Sequence, residues 1–152
     1  MNIKRITSTE YLLVTGLFND YRVFYKFPPD IALAKRFIKE RLDNNESVIF
    51  AAFEDNAEMP VGFTQLYPLI SSGRAIKNWV LNDLYVDPQH RKKGIGEALI
   101  KAATEFATAD GAAFLQLETA VDNHNAQRLY ENIGFNKQEP DPSFFVYRLP
   151  LK

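Results

Sequence analysis

The sequence predicts an α+β (mixed α/β) fold with a twisted, mostly antiparallel central sheet and helices on both faces. Three observations predict it: two helical patterns follow a short first strand, three β-type runs come next, and a helix joins the last of them to a further strand. Consecutive strands form antiparallel meanders, whereas a strand–helix–strand unit is a right-handed parallel crossover. A length of 152 residues suits a single domain, residues 1–152, with one core.

The first half of the chain predicts one strand and two helices. NIKRIT alternates apolar and polar side chains, as strands do. Ser8 can cap the first helix, and the double proline at positions 28 and 29 ends it. Asp30 caps the second helix, which ends at Asn44 and Asn45. The apolar positions at helical spacing are Leu12, Leu13, Leu17, Tyr21, Phe24, Ile31, Ala34, Phe37, Ile38 and Leu42.

The second half predicts a meander followed by a crossover. SVIFAAFE and VGFTQLYPLI form a hairpin, and KNWVLNDLYV is the third strand of the meander. A helix runs from about Gly94 to Gly111, and AFLQLETA is the strand that follows it. A short helix starts near Asn125 and ends at Ile133, and a last strand pair is expected around Phe135 and in SFFVYRL. The predicted order is therefore βααβββαβαββ.

Composition and charge exclude several classes of protein. A formal net charge of −1 gives no reason to expect a nucleic-acid partner. The chain has no cysteine, which excludes disulfides, thiol catalysis and thiolate metal sites, and its two histidines lie too far apart to predict a metal site. The start MNIKRITSTEYLL does not resemble a signal peptide, and no apolar run reaches the roughly 20 residues of a membrane span. We therefore expect a cytoplasmic protein that binds no membrane.

One stretch, HRKKGIGEALIKAA at residues 90–103, places four basic side chains directly before two glycines at a helix start. The first N–H groups of a helix lack intrahelical partners, and the helix dipole adds positive charge there. Glycine lets a ligand approach the backbone closely. The stretch is therefore either a cradle for an anion such as phosphate or a solvated basic loop.

Two phosphate-binding motifs can be compared with this stretch. No P-loop pattern is present. A dinucleotide fingerprint needs three glycines close to a strand and an acidic residue about 20 positions further on. Gly94, Gly96 and Glu118 fit this fingerprint. However, Leu99 holds the third glycine position, and seven residues separate Gly94 from the strand. A dinucleotide cofactor is therefore disfavoured.

Two sequence blocks resemble the GNAT superfamily of N-acetyltransferases. The first, LYVDPQHRKKGIGEALI, matches the family's strand end, proline and R/Q-x-x-G-x-G/A pattern at Val86, Pro88, Arg91, Gly94 and Gly96. The second, N-x-x-A-x-x-L-Y-x-x-x-G-F, is matched at Asn123, Ala126, Leu129, Tyr130, Gly134 and Phe135. The resemblance is close over residues 79–135. Within the superfamily, WVLNDLYVDP and ETAVDNHNAQRLYENIGF resemble the branch that acetylates polyamines, other small amines and histone tails.

The resemblance implies acetyl-CoA as the acetyl donor. It implies that the pyrophosphate lies over the backbone amides of the basic loop and helix start, where lysine and arginine offset its charge. The pantetheine arm is implied to run beside the preceding strand, where an amide of Tyr85 or Val86 can face the acetyl carbonyl. Asn123 is implied to hydrogen-bond to this arm, or it caps a helix, or both. The residues implied in cofactor binding are Leu84, Tyr85, Val86, Arg91, Lys92, Lys93, Gly94, Ile95, Gly96, Glu97, Asn123 and Tyr130.

Catalysis on an amine with a pKa of about 10 requires a base to remove a proton before attack. The resemblance suggests Glu118, which could otherwise be a solvent-facing glutamate. Asp83 is the second candidate, either as base or to hold the substrate ammonium. Tyr130 is implied to be the general acid for the departing thiolate, and its alternative is a core aromatic on an amphipathic helix.

The acceptor is expected to be a small-molecule amine such as a polyamine. A protein or peptide amine, or a non-catalytic sensor of acetyl-CoA, is the alternative. A homodimer is expected because dimers are common in the family that the chain resembles. Candidate acceptor contacts are Tyr25, Phe27, Trp79 and Asp83, with Tyr67 and Phe144 as further walls and Asp20, Asp30, Glu46 and Glu139 as acids that could attract a cation. Each of these residues has a structural or solvated alternative.

Overall fold

The structure, a computed structural model, describes residues 1–152 and forms two compact units, Met1–Glu118 and Thr119–Lys152. The first unit contains β1 (Asn2–Arg5), α1 (Leu12–Phe24), α2 (Ile31–Asp43), β2 (Val48–Phe53), β3 (Gly62–Ser71), β4 (Ile76–Val86), α3 (Ile95–Ala109) and β5 (Leu115–Gln116). The second unit contains α4 (His124–Ile133). None of these helices has the length and apolar character required to cross a membrane.

The five strands form one sheet in the order β1-β2-β3-β4-β5. Neighbours from β1 to β4 are antiparallel, and β5 lies parallel to β4 through the pairs Trp79–Leu115 and Val80–Gln116. The helix α3 connects β4 to β5, which is the crossover that the sequence predicts. The mixed fold class with a mostly antiparallel sheet is therefore confirmed.

Helices cover both faces of this sheet. Successive residues of a strand point to opposite faces, so neighbouring residues of β2 contact different helices. Ala51 and Phe53 of β2 pack in the cluster formed with α1 and α2. Ala52, which lies between them, packs instead with Ile95 and Leu99 of α3. The sheet thus separates an α1/α2 side from an α3 side.

β4 carries a β-bulge that the sequence analysis did not predict. Gln65 of β3 pairs with Asp83, whereas the next residue, Leu66, pairs two positions back on β4. Its partner is Leu81, so Asn82 is an extra residue on β4. A bulge bends its strand and increases the local twist. This bulge lies just after the point where pairing between β4 and β5 ends.

The sequence predicted side-chain caps for the first two helices, and one of these two is confirmed. Asp30 caps α2, since its carboxylate accepts a hydrogen bond from the Leu33 N–H at 3.0 Å. Ser8 does not cap α1, because it lies inside a short 3-10 turn that precedes the helix. Thr7 precedes that turn, and the Glu10 carboxylate accepts a hydrogen bond from the Thr7 N–H at 3.0 Å.

The strands predicted after α3 are shorter than expected or absent. β5 keeps only two residues of the predicted run AFLQLETA. The predicted last strand pair is wrong, because residues 135–152 form no strand. Phe144 and Tyr147 are exposed in this segment. A run of apolar and aromatic residues such as SFFVYRL does not by itself supply a partner for the N–H and C=O groups that a strand must pair.

We expect Gly62→Ala to destabilise the first unit. The added Cβ atom would lie 3.1 Å from the Tyr85 carbonyl oxygen and 3.3 Å from side-chain atoms of Val86 and Ile95. Overpacking of this kind costs about 1–3 kcal/mol of free energy of unfolding, which urea denaturation measures. Gly16→Ala in α1 is the control, since its Cβ would meet nothing within 4 Å. Equal losses in the two variants would contradict this packing account.

Candidate active site

The start of α3 leaves backbone donors without acceptors in the helix. Gly94 precedes the helix with a φ of +79°, a left-handed conformation that favours glycine, and no side chain caps the helix. The first helical hydrogen bond joins the Ala98 N–H to the Gly94 carbonyl at 3.0 Å. The N–H groups of residues 95–97 therefore lack helical partners at the positive end of the dipole. An anion suits this position.

Lys92 and Lys93 bring positive charge close to this helix start. Lys92 is exposed and has a φ of +63°, which is uncommon for a residue with a side chain. Lys93 Nζ lies 3.5 Å from Glu54 Oε1, and His90 Nε2 lies 3.7 Å from the same oxygen. Exposed ion pairs of this length contribute little stability, so Lys93 can exchange Glu54 for a phosphate.

Arg91 points towards α1 and not towards the start of α3. Its Nε donates a hydrogen bond to the Val86 carbonyl oxygen at 2.9 Å. Its guanidinium carbon lies 5.5 Å from the centre of the Tyr85 ring and 5.6 Å from that of Phe24. Tyr85 packs on the α1/α2 side of the sheet. The phosphate-neutralising role of Arg91 thus gains no support from its side-chain position and stays a prediction.

The edge of β4 that leads into this loop carries unpaired backbone groups. Pairing with β5 ends at Val80, so residues 81–86 have no neighbouring strand on the β5 side. β3 pairs with the other side of β4 as far as Val86. The side chains of Leu84 and Val86 pack in the α3 cluster, which holds the strand in place. Such an edge can pair with an extended ligand through its main chain.

Asp83 is a buried charge on the α1/α2 side of β4, with 2% of its surface exposed. Gln65 Nε2 donates to one carboxylate oxygen at 2.6 Å, and Asn82 Nδ2 donates to the other at 2.7 Å. Burial raises the pKa of the Asp83 carboxyl despite these bonds. Burial, followed by the charge of Asp83, also raises the pKa values of the Tyr21 and Tyr67 hydroxyls. A proton or another cation is therefore the favoured partner of this carboxylate.

The predicted acceptor contacts do not all lie together. The Tyr25 ring is 54% exposed and meets the Tyr21 ring edge-on, with 4.9 Å between centroids. Phe27 is also exposed, just beyond the end of α1. Trp79 packs on the α3 side, where its indole N–H donates to the Asp110 carboxylate at 2.8 Å. The structure therefore separates Trp79 from the other predicted acceptor contacts.

The remaining acidic candidates differ in how they are held. Glu118 is exposed beyond the end of β5. This position agrees with a solvent-facing glutamate and leaves its carboxylate accessible, so its role as base stays a prediction. Asp30 is engaged as a helix cap, and Glu46 lies 3.8 Å from Arg41. Asp20 and Glu139 are exposed.

In the second unit, residues of the motif N-x-x-A-x-x-L-Y-x-x-x-G-F begin and end α4. The Asn123 side chain accepts a hydrogen bond from the Ala126 N–H at 3.2 Å, so its capping role is observed. Gly134 ends the helix with a φ of +121°. The half-buried Tyr130 ring meets the Phe135 ring at 5.9 Å between centroids. The motif therefore has a structural role, which is compatible with the catalytic role predicted for Tyr130.

Sequence reasoning missed the partners that hold Asp83. Ser47 Oγ donates to Gln65 Oε1 at 2.7 Å, which orients the Gln65 amide towards Asp83. Tyr21 was identified only as an apolar helix position. The available signal was a glutamine inside the apolar run VGFTQLYPLI, because a buried amide requires polar partners on a neighbouring strand.

Comparisons with known proteins identify the class of the protein, an acetyltransferase. A crystal structure of a probable acetyltransferase superposes on the chain with a TM-score of 0.89 and 35% identity, covering 100% of this chain and 99% of that chain. Residues 14–135 match the Acetyltransferase (GNAT) family. The chain therefore belongs to the GNAT family of acetyltransferases, as its two motifs predict.

Relatives indicate the same enzyme class. An uncharacterized N-acetyltransferase of Bacillus subtilis (strain 168), YhfO, is 43% identical over 149 residues, which cover 98% of this chain and 97% of that protein. A crystal structure of an aminoglycoside acetyltransferase from an uncultured soil sample, in complex with sisomicin, has a TM-score of 0.77 at 22% identity. It covers 98% of this chain and 96% of that chain, and shows the shared fold. The protein is thus an N-acetyltransferase.

We expect Asp83→Asn to remove one component of the pH dependence of stability. Burial holds the pKa of Asp83 above its ordinary value of 3.8, so the folded state binds this proton more tightly than the unfolded state. The resulting stability is complete below about pH 4 and is lost as pH rises through the folded pKa. The free energy of unfolding of the variant, relative to wild type, should therefore increase with pH.

Urea denaturation between about pH 4 and 8 measures this difference. Asp122→Asn is the control, since Asp122 is exposed. A relative free energy that falls with pH for Asp83→Asn would show that the buried carboxyl is held in its charged form.

Proposed function

We propose that this protein transfers the acetyl group of acetyl-CoA directly to the amine of a small molecule, such as a polyamine, in a ternary complex. One observation carries the proposal: the unpaired edge of β4, residues 81–86, leads into the uncapped start of α3. The chain has no cysteine to hold an acyl group, which favours direct transfer. A protein of the same fold named an aminoglycoside acetyltransferase supports a small-molecule acceptor.

The residues present fit acetyl-CoA, which supplies an acetyl group activated as a thioester. The amides of residues 95–97, with Lys92 and Lys93, would bind its pyrophosphate. The main chain of Leu84 and the N–H of Val86 would pair with its pantetheine arm, since the Val86 carbonyl already accepts a hydrogen bond from Arg91. Successive N–H groups of a strand alternate in direction, so one of Tyr85 and Val86 directs its N–H away from β3. We assign that N–H to the acetyl oxygen, where it stabilises developing negative charge.

We assign Glu118 as the base that accepts the proton of the attacking amine, and Asp83 is the second candidate. Glu118 is exposed and therefore accessible to a substrate or a relaying water. Asp83 is buried, and its raised pKa makes it a stronger base than an ordinary aspartate. When ionised, Asp83 also attracts a substrate ammonium. Tyr25 and Phe27 would form apolar contacts with the acceptor.

Tyr130 is proposed as the general acid that protonates the departing thiolate. Tyr130→Phe removes only the hydroxyl, so turnover should fall by about 10²-fold or more, with CoA affinity nearly unchanged. Thiol release measures turnover, and the rise in melting temperature with CoA measures binding. Tyr147→Phe is the matched control, since Tyr147 is 90% exposed, and it should retain full turnover. Full turnover in Tyr130→Phe would refute the assignment.

Gly94→Ala should weaken CoA binding. A left-handed backbone costs a residue with a Cβ about 1–2 kcal/mol, so the loop should relax and displace the amides of α3. We expect about a tenfold higher Kd for CoA, seen as a smaller CoA-dependent rise in melting temperature. Gly73→Ala has open space around its Cβ and no positive φ, and it should bind CoA as wild type does. Wild-type affinity in Gly94→Ala would count against the assigned phosphate site.

Thiol release from acetyl-CoA across a panel of amines tests the proposed function as a whole. The panel holds polyamines, aryl- and alkylamines, amino acids, an aminoglycoside, and lysine and N-terminal peptides. Turnover with a small amine is the expected result, and turnover with peptides alone would favour a protein acceptor. A rise in melting temperature with CoA, without turnover of any amine, would favour a sensor. A rise with NADH in place of CoA would contradict the proposal altogether.

We further propose that residues 1–152 act as one domain, in the cytoplasm, as a homodimer. These proposals rest on the length of the chain and on its family. Light scattering at micromolar concentration tests the dimer, and a monomer mass would refute it.

A further inference from the structure

A small open pocket lies between the end of α1 and the end of β4, with a volume of about 240 Å³. At about 30 Å³ per water, this volume equals roughly eight waters, which suits the head group of a small molecule. The Phe24 and Tyr85 rings form its aromatic wall, with 6.4 Å between centroids. The lining residues are Asp20, Val23, Phe24, Tyr85, Pro88 and Arg91.

This pocket, which we call the head-group pocket, carries one charge of each sign. Arg91 has no carboxylate within 4.0 Å, and Asp20 has no cationic group within that distance. Both act on the Tyr85 hydroxyl: burial and then the charge of Asp20 raise its pKa, while Arg91 opposes this rise. Arg91 and Asp20 carry opposite charges, lie near the same Tyr85 hydroxyl and have no ionic partner. Together they complement a ligand that carries both a positive and a negative charge.

We propose that the head-group pocket binds the ammonium and carboxylate of a free amino acid whose side-chain amine accepts the acetyl group. This rests on the proposed function and names its acceptor class. The Arg91 guanidinium pairs with the carboxylate, and Asp20 pairs with the α-ammonium. Phe24 and Tyr85 pack against the first methylenes. A polyamine has no carboxylate and leaves Arg91 without an anionic partner.

The distance from the head-group pocket to Asp83 sets the length of side chain that the substrate amino acid requires. Asp83 and Tyr85 lie on the same side of β4, two residues apart, and strand geometry places such residues about 6.6 Å apart. The four-carbon stem of lysine, with bonds of about 1.5 Å, spans about 6 Å when extended. Tyr21, next to Asp20 in α1, lies close enough to Asp83 to hydrogen-bond with it. An amine on a lysine-length stem therefore reaches the surroundings of Asp83.

Four related amines test the head-group pocket in the full-length protein. L-Lysine carries both head-group charges, L-lysinamide lacks the carboxylate, 6-aminohexanoate lacks the α-ammonium, and pentylamine lacks both. We expect the highest kcat/KM for L-lysine and values lower by roughly tenfold or more for each missing charge. With CoA present, L-lysine should raise the melting temperature more than L-lysinamide does, which is a readout of binding without turnover.

Two variants assign the charges to their residues. In Arg91→Gln, the preference for L-lysine over L-lysinamide should disappear, while that over 6-aminohexanoate remains. In Asp20→Asn, the preference for L-lysine over 6-aminohexanoate should disappear, while that over L-lysinamide remains. A ratio of two acceptors on one variant cancels any effect on folding or on cofactor affinity. Glu58→Gln, an exposed residue that does not line the pocket, is the charge-matched control and should keep both preferences.

The outcomes separate this inference from acetyl transfer itself. Equal use of L-lysine and pentylamine, or acetylation of only unrelated amines, would overturn the head-group assignment and leave acetyl transfer standing. Failure of every amine in the wider panel would overturn the proposed function, and the head-group assignment with it.

Discussion

Three backbone N–H groups at the start of α3 lack helical acceptors, and the surrounding structure keeps them in that state. Gly94 turns the chain into the helix in a left-handed conformation and offers no capping side chain. Gly62 allows β3 to lie close to β4 and to Ile95, the first residue of α3. An unsatisfied donor is costly unless water or a ligand pairs with it. The helix start is therefore prepared for an anion before any ligand arrives.

β4 links this helix start to the opposite side of the sheet. Its side chains at Leu84 and Val86 pack towards α3, whereas Asp83 and Tyr85 lie on the α1/α2 side. The bulge at Asn82 separates this part of the strand from the part that pairs with β5. In the proposed function, the segment of β4 after the bulge thus contacts the acetyl donor through its main chain and the acceptor through its side chains.

The sequence predicted features that depend on local chemistry. Asp30 caps α2, Gly94 starts α3, and Asn123 caps α4, because capping and left-handed turns depend on the residue itself. The two family motifs identified the acetyltransferase class, which the comparisons confirm.

Features that depend on partners distant in sequence were not predicted. The bulge at Asn82 changes which side chains face α1, and no local pattern indicates a register shift. The direction of Arg91 depends on Phe24, which is 67 positions away in the chain. The strand expected in SFFVYRL is absent because a strand needs a neighbouring strand as well as apolar and aromatic residues.

Hydrogen–deuterium exchange with and without CoA tests most directly whether the unpaired backbone of β4 and α3 is the cofactor site. The account predicts slower exchange of the amides at residues 95–97 and of those in residues 81–86 that point away from β3, with little change in β1 and α2. Protection confined to other elements, in a protein that CoA stabilises against heat, would contradict it.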